Sequence, residues 1–585
     1  MKEDIKKIDQ ATEKWQDKVV KPKLKKFKLE ESPTRFYTPE DLEEFDFLEK
    51  VGYPGQYPFT AGNDPAPRWQ VFAAAEAKES ARFEWGAAGS SGAGKYAGFG
   101  TPEDYRDYLV RMHELGRNAG PNFAFDLPTQ CGYDSDDPQS EGEVGRVGVA
   151  VDSLRDFEVI YEAYTGDLDI DKVSSNFTAN AQAIVIIALY AALAQKRGIP
   201  LEKLRGTPQN DILKEYVARG TYIYPPGPAL RLFRDTLVFC TEHMPNFNIS
   251  SIGGYHMREG GATREQDLAY SMAIGAAYLQ TGVDAGVDID SYAPHFTFNA
   301  FGGSMEFYKE IAFQRAARRM WATMLKERFG AKNPRSMMVR QMAGAHMGYI
   351  NATLQRPLNN LTRAVIGGMA DGMSGGIPFG AMPPWDEALG LGHSLEAQQL
   401  GHDATRIMIY EAKLGEVLDP WAGSYFMESI TNEIENAAKE EFDKIEEMGG
   451  FVAAIENGYV RQAIARSAYE KQKRIENLED FIIGVNCFAG PNELNVMTER
   501  SVSDVYSAEL LATAGQRKCE SLALLKKERN DKDVGRTLKD LKSAAGKEEE
   551  NLMPYIIECV KVYATLQEIC DVMRDVFGEY KTGNI

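Results

Sequence analysis

Arg219 closes the stretch "QNDILKEYVARG", Gln209 to Gly220, and stands just ahead of the aromatic, proline-rich "TYIYPP". A guanidinium is a permanently charged planar fork suited to a carboxylate. It either receives an anionic ligand or makes an ordinary ion pair with a nearby Asp or Glu. Tyr255 and His256 follow in "GGYHMREGG", where the glycine pair lets the backbone approach other groups closely. The imidazole could donate there to a carbonyl, a thioester's included, while the tyrosine walls a cavity. The competing reading is a histidine satisfied structurally. The other six histidines lack HExxH spacing.

Three further stretches carry weaker signals. "GAAGSSGAGKYAGFG", Gly86 to Gly100, meets the GxxxxGK spacing of a phosphate loop, but Tyr96 stands where the magnesium-binding Ser or Thr belongs. A turn without ligand contact is preferred over an anion-binding loop. "FDLPTQCGYDSDDP" holds Asp126, Asp134, Asp136 and Asp137 at short, turn-like spacing. Acid-base or metal chemistry competes there with helix capping, and capping is preferred. "PPWDEALGL" puts Asp386 and Glu387 at a plausible helix start, where capping competes with contacts to a ligand hydroxyl.

These residues need a scaffold. Units such as "KVSSNFTAN" with "AQAIVIIALYAALAQ", "GTPQND" with "ILKEYVARG" and "FNISSIGGYH" with "TREQDLAYSMAIGAAYLQTG" pair short strands with helices. Repeated units favour a parallel α/β architecture, either closed into a (β/α)8 TIM barrel or open and doubly wound. Residues 1–50 read as an N-terminal arm and interface segment, 51–425 as the barrel, and 426–585 as a mainly helical region ending in one amphipathic helix, "MPYIIECVKVYATLQEICDVMRDVFGEY". With 585 residues, 43% of them hydrophobic, the chain can build substantial cores. Its formal charge of -20 disfavours a nucleic-acid partner. The N-terminus lacks the apolar core of a secretory signal, and no apolar run approaches bilayer-spanning length, so no membrane partner is expected. Six dispersed cysteines, without a CxxC pair or zinc-ligand cluster, point to a reducing, cytoplasmic setting and to no protein-held metal.

The ordered blocks "YAGFGTPED", "AFDLPTQCGYDSDDP", "LRGTPQNDILKEYVARGTYIYPP", "SIGGYHMREGGATREQ", "WDEALGL", "DPWAGSYFMES" and "IIGVN" resemble the large catalytic part of the methylmalonyl-CoA mutase family, the cobalamin-dependent acyl-CoA mutases. The resemblance implies a closed barrel threaded by the pantetheine arm of coenzyme A, with adenosylcobalamin over its mouth. It also implies radical isomerisation of the acyl carbon skeleton, in which the cofactor supplies the hydrogen-abstracting chemistry. Carried over by position, Tyr96 resembles the tyrosine beside substrate and adenosyl group, Tyr255 the tyrosine near the corrin, and His256 the donor to the thioester carbonyl. Arg219 resembles the arginine that binds a free carboxylate, and Gln209 a substrate-contacting glutamine. Thr178 and Thr207 match polar barrel positions near the thioester, and Glu387 a glutamate toward the adenosyl ribose.

Tyr96 together with Arg219 implies an acyl-CoA bearing a second carboxylate, with methylmalonyl-CoA and succinyl-CoA as the default pair. The family's DxHxxG cobalamin motif is missing from this sequence. A separate small cobalamin-binding subunit, in a heterotetramer or other hetero-oligomer, is therefore the expected partner. The sequence departs from the family pattern at "WGAAGSSGAGK", where an Arg-, Pro- and Trp-rich segment is usual, at "QMAGAHMGY", and at Pro383. A larger substituted malonyl- or succinyl-type thioester, or a noncatalytic assembly or regulatory relative, stays open as an alternative.

Overall fold

The computed structural model describes residues 2–28, 30–31, 36–42, 45–65, 93–114, 119–299, 305–343, 351–375, 395–490 and 508–582. The chain begins with helix α1, Lys2–Trp15, whose last residue is an exposed tryptophan. Strand β1, Ala93–Ala97, leads into α2, Pro102–Glu114. Strand β2, Gly120–Phe123, is followed by α3, Leu127–Cys131, and α4, Leu154–Ile160. Strand β3, Ser174–Phe177, is followed by α5, Ala183–Lys196. Strand β4, Arg205–Pro208, leads through a short turn into α6, Pro226–His243. Strand β5, Ser250–Ile252, precedes α7, Tyr255–Glu259, and α8, Arg264–Asp284. Strand β6, Phe296–Asn299, pairs in sequence with α9, Phe307–Glu327, and strand β7, Gln341–Ala343, with α10, Asn359–Gly372.

All pairings between these strands are parallel, in the order β1-β2-β3-β4 and β5-β6-β7. The two sheets meet where Ser251 N–H donates to Gln209 O at 2.8 Å and Asn248 N–H donates to Gly206 O at 2.9 Å. The expected eight-unit closure is not seen: the described residues give a four-stranded and a three-stranded parallel sheet. Strand-helix alternation fixes the parallel α/β class without counting strands, because each crossover helix must return the chain to the same end of the sheet.

Alternation along each strand sorts the side chains. Phe123 and Phe177 stack on each other with ring centroids 5.3 Å apart and turn outward, against Phe157 of α4 and Tyr190 of α5. The neighbouring register row, Tyr96–Asn122–Asn176–Thr207, therefore faces inward. In the second sheet Phe298 meets Trp321 of α9, so the paired Ser251 and Thr297 take the inner side. The outer layer explains why α5 is apolar all round: it lies between the sheet and a further helical layer, and nearly all its residues are buried.

That layer comprises α11, Tyr425–Glu447; α12, Tyr459–Glu476; α13, Ala508–Glu528; α14, Asp531–Ala545; α15, Met553–Lys561; and α16, Leu566–Phe577. Helix α11 packs on α8 and α9, and α15 on α5. The expected single terminal helix is two. Thr565 and Glu568 form a capping box that starts α16 afresh, directly after Tyr563 takes a left-handed φ of 64°. No helix among the described residues is long and apolar enough to cross a membrane.

Candidate active site

The segment after β4 sets up the site. Ile212–Lys214 forms a single helical turn, and Glu215–Arg219 widens it into a π turn closed by Gly220 N–H donating to Glu215 O at 3.0 Å. Gly220 then reverses the chain at φ 93°, a conformation open to glycine. Lys214 and Glu215 thereby turn inward with fully buried side chains, and Arg219 is brought to the edge with its side chain 20% exposed.

Glu215 is saturated with donors. Its Oε1 accepts from Lys214 Nζ at 2.6 Å, from Asn180 Nδ2 at 2.8 Å and, at 3.4 Å, from Arg219 Nη1. Its Oε2 accepts from Thr221 N–H at 3.0 Å and Thr221 Oγ1 at 2.8 Å. Burial alone would raise the Glu215 carboxyl, but Lys214 and Arg219 more than offset it and hold it below the usual carboxylate range. Arg219 Nη2 donates to Gln130 Oε1 at 2.5 Å, and the Gln130 amide is itself anchored by Nε2 donating to Phe125 O at 2.6 Å.

Tyr96 and Tyr255 lie within electrostatic reach of Arg219. Burial lowers the Arg219 guanidinium's pKa, yet Glu215 and then the two tyrosines outweigh it, so the charge is retained. Burial also pushes the Tyr255 hydroxyl up, with Tyr96 adding to the shift and Arg219 opposing it. The Tyr255 and His256 rings lie 3.9 Å apart at a 32° tilt, at the start of α7. His256 adjoins Lys214 across Gly253, where an added Cβ would meet His256 Nδ1 at 3.1 Å and Lys214 Cε at 3.2 Å. Glycine is what lets those two side chains share one place.

The structure thus brings together Tyr96, Arg219, Tyr255 and His256. Gln209 joins from behind: its Oε1 accepts from Asn180 Nδ2 at 2.8 Å and from Lys214 Nζ at 3.1 Å. Thr207 sits on the inner row with its Oγ1 accepting from Asn248 Nδ2 at 2.7 Å. Thr178 lies just past β3, held by its N–H donating to Phe123 O at 3.2 Å. Tyr96, expected next to a turn, is on a strand and 42% exposed at the sheet's edge. Glu387, Asp386, Pro383 and most of the glycine-rich run before Tyr96 lie outside the described residues.

The aspartates of "FDLPTQCGYDSDDP" do the structural work preferred for them. Asp126 caps α3 by accepting from Thr129 N–H, and Asp137 accepts from Gln139 N–H at the next turn. Sequence reasoning missed Gln130, Asn180, Lys214 and Glu215, and also Asn176 and Ser251. Asn176 Oδ1 and Ser251 Oγ are buried on the inner face and make no hydrogen bond among the described residues. Their one legible signal was a polar run held between apolar residues, Val173 and Phe177 around Asn176, and Ile249 and Ile252 around Ser251.

An arginine, a histidine and two tyrosines thus converge beyond the C-terminal ends of parallel α/β strands, where this class of fold places its ligand sites. The chain belongs to the methylmalonyl-CoA mutase family, whose model, described as "Methylmalonyl-CoA mutase", matches residues 28–579. It is 36% identical to a probable mitochondrial methylmalonyl-CoA mutase of Caenorhabditis elegans, over 92% of this chain and 68% of the relative. The mitochondrial methylmalonyl-CoA mutase of Homo sapiens is 35% identical over 84% of this chain and 63% of its own length. The 2-hydroxyisobutanoyl-CoA mutase large subunit of Aquincola tertiaricarbonis is 35% identical over 94% of this chain and 91% of its own length. The cytoplasmic setting expected from the cysteines is corrected here, since the worm and human relatives are named as mitochondrial. Dispersed free thiols report a reducing environment, which is not peculiar to the cytoplasm.

Proposed function

We propose that the chain is the substrate-binding large subunit of an adenosylcobalamin-dependent mutase that isomerises the carbon skeleton of a carboxylated acyl-CoA, with methylmalonyl-CoA and succinyl-CoA as the default pair. The observation that carries this reading is Arg219, charged and partly exposed, within reach of Tyr96 and of Tyr255, whose ring packs on His256, beside an inner row of polar strand residues. Arg219 binds the free carboxylate and His256 donates to the thioester oxygen. Gln209 holds the acyl chain between them. Thr178 and Thr207, with the buried oxygens of Asn176 and Ser251, offer polar partners to a pantetheine arm lying in the lumen of a barrel closed around both sheets, the unit we assign to 51–425.

Tyr96 and Tyr255, both within electrostatic reach of Arg219, are the mouth residues this reading sets beside the cofactor. When bound, adenosylcobalamin supplies the radical chemistry that removes and returns a substrate hydrogen. The protein's own residues orient the acyl group and keep water from it. Glu387 is our candidate for the adenosyl ribose. Relatives named as large subunits support a separate small cobalamin-binding subunit as partner in a hetero-oligomer. The small residues ahead of Tyr96 favour, within the same class, a substrate with a longer 2-alkyl group.

The test is reconstitution with a cobalamin-binding small subunit and adenosylcobalamin, assayed with succinyl-CoA, methylmalonyl-CoA and a longer 2-alkylmalonyl-CoA. Cofactor-dependent interconversion of a carboxylated pair is expected. A complex that assembles and turns over none of them identifies a noncatalytic relative and ends the proposal.

A further inference from the structure

A guanidinium next to a buried carboxylate should be spent on it, which would leave Arg219 useless as a receptor for a substrate's carboxylate. The geometry avoids this. Lys214, with no exposed side-chain surface, takes the near position on Glu215 Oε1 at 2.6 Å, and Arg219 is left at 3.4 Å. A guanidinium carries five N–H donors, and among the described residues Arg219 makes one short contact to neutral Gln130 and two long ones, to Glu215 at 3.4 Å and to Thr221 Oγ1 at 3.5 Å.

We infer that Lys214 is a specificity-determining positioning residue: its ammonium neutralises Glu215 and so keeps the charge of Arg219 available to a carboxylated acyl group. The inference rests on the reading of Arg219 as the carboxylate receptor. The second cationic role could not pass to a solvent ion, because Glu215 is buried and unreachable. Nor does Asn180 suffice, since a neutral amide supplies a hydrogen bond without a charge. Without Lys214, Oε1 would draw Arg219 Nη1 inward into a close pair, as an uncompensated buried carboxylate must. Lys214 is also tied down from its other side, donating to Gln209 Oε1 and Asp211 O. Gly253 provides its space beside His256. Lys214 therefore joins the carboxylate end of the site to the thioester end without itself reaching substrate.

The experiment is calorimetric binding of succinyl-CoA and isobutyryl-CoA to the full chain, read as the ratio of their affinities. Wild type is expected to prefer succinyl-CoA, and Lys214→Met to lose about tenfold or more of that preference. The double variant Lys214→Met/Glu215→Gln removes the competing carboxylate with its counter-ion and should restore it. Glu215→Gln alone should keep it, which serves as the readout if Lys214→Met fails to fold. A preference unchanged in Lys214→Met, or lost in Glu215→Gln and in the double variant, overturns the role of Lys214 while leaving that of Arg219 standing. A wild-type chain without preference, or a preference that survives Arg219→Met, overturns the carboxylate reading and this inference with it.

Discussion

The Arg219 guanidinium, to which we assign the substrate's carboxylate, has its plane already set by Gln130 and Glu215. A preset fork gives bidentate geometry that a lysine ammonium does not have. Arg219→Lys is therefore expected to raise KM for a carboxylated acyl-CoA by at least about tenfold while moving KM for an uncharged one little; equal effects on both would remove Arg219 from the substrate. In the proposed reading His256 acts where charge develops, on the thioester oxygen. Its replacement by alanine should lower kcat by about 100-fold or more with a smaller change in KM, and a pure KM effect would reassign it to binding. Arg219, Tyr255 and His256 stood out in the sequence because their types carry chemistry and the glycines beside them allow close approach, and the structure brings them to one place. Lys214, Glu215 and Gln130 did not. Gln130 lies 89 positions from the arginine it contacts, which no local pattern encodes. Lys214 and Glu215 are adjacent and Glu215 is four residues from Arg219, but only their burial, which a charged run does not announce, sets them apart from a solvated face.

At the scale of elements, the strands are three to five residues long, so each side chain's direction follows from a single alternation rather than from a run. Helices α5 and α8 were legible because each is a long run of helix-favouring, largely apolar residues without a glycine- or proline-rich break inside it. The break between α15 and α16 was missed although the T-x-x-E signal at Thr565 was present, since apolar residues continue through it. Strand β6 carries a testable consequence at its start. His295 is held at about 4, below its ordinary value, by burial and then by Arg340 and Arg335. Above about pH 6.5 the imidazole is neutral in both folded and unfolded chains. As pH falls from there towards 4, only the unfolded chain takes up the proton, so stability is lost across that window by up to about 1.4 kcal/mol per pH unit. His295→Gln removes the titration. Its melting temperature should fall less than wild type's between pH 7.5 and 5, and parallel pH curves for the two would contradict the assignment.

For the molecule as a whole, the question is whether the C-terminal helices are an appendage or part of the body that holds the site. Lys518 of α13 is buried against Asp152 at 2.7 Å and Asp156 at 2.8 Å, at the start of α4. Arg574 of α16 donates to the carbonyls of Cys131 and Gly132, beside the Gln130 that orients Arg219. Tyr580 packs edge-on against Tyr216 in the turn that carries Arg219. Composition showed a helical region there, but its charged residues read as a solvated face; the buried lysine looks the same in sequence as its exposed neighbours. Removing that lysine leaves two carboxylates in the interior with one counter-charge fewer. Lys518→Met should therefore cost about 3–5 kcal/mol, seen as a lowered unfolding midpoint, and the affinity ratio of succinyl-CoA to isobutyryl-CoA should stay as in wild type below that midpoint. Asp152→Asn/Asp156→Asn placed on Lys518→Met should recover much of the loss, because the charges then disappear together. If Lys518→Met unfolds no earlier than wild type, the C-terminal layer is not braced through this cluster, and the orientation of Gln130 and Tyr216 must be set within the α/β body alone.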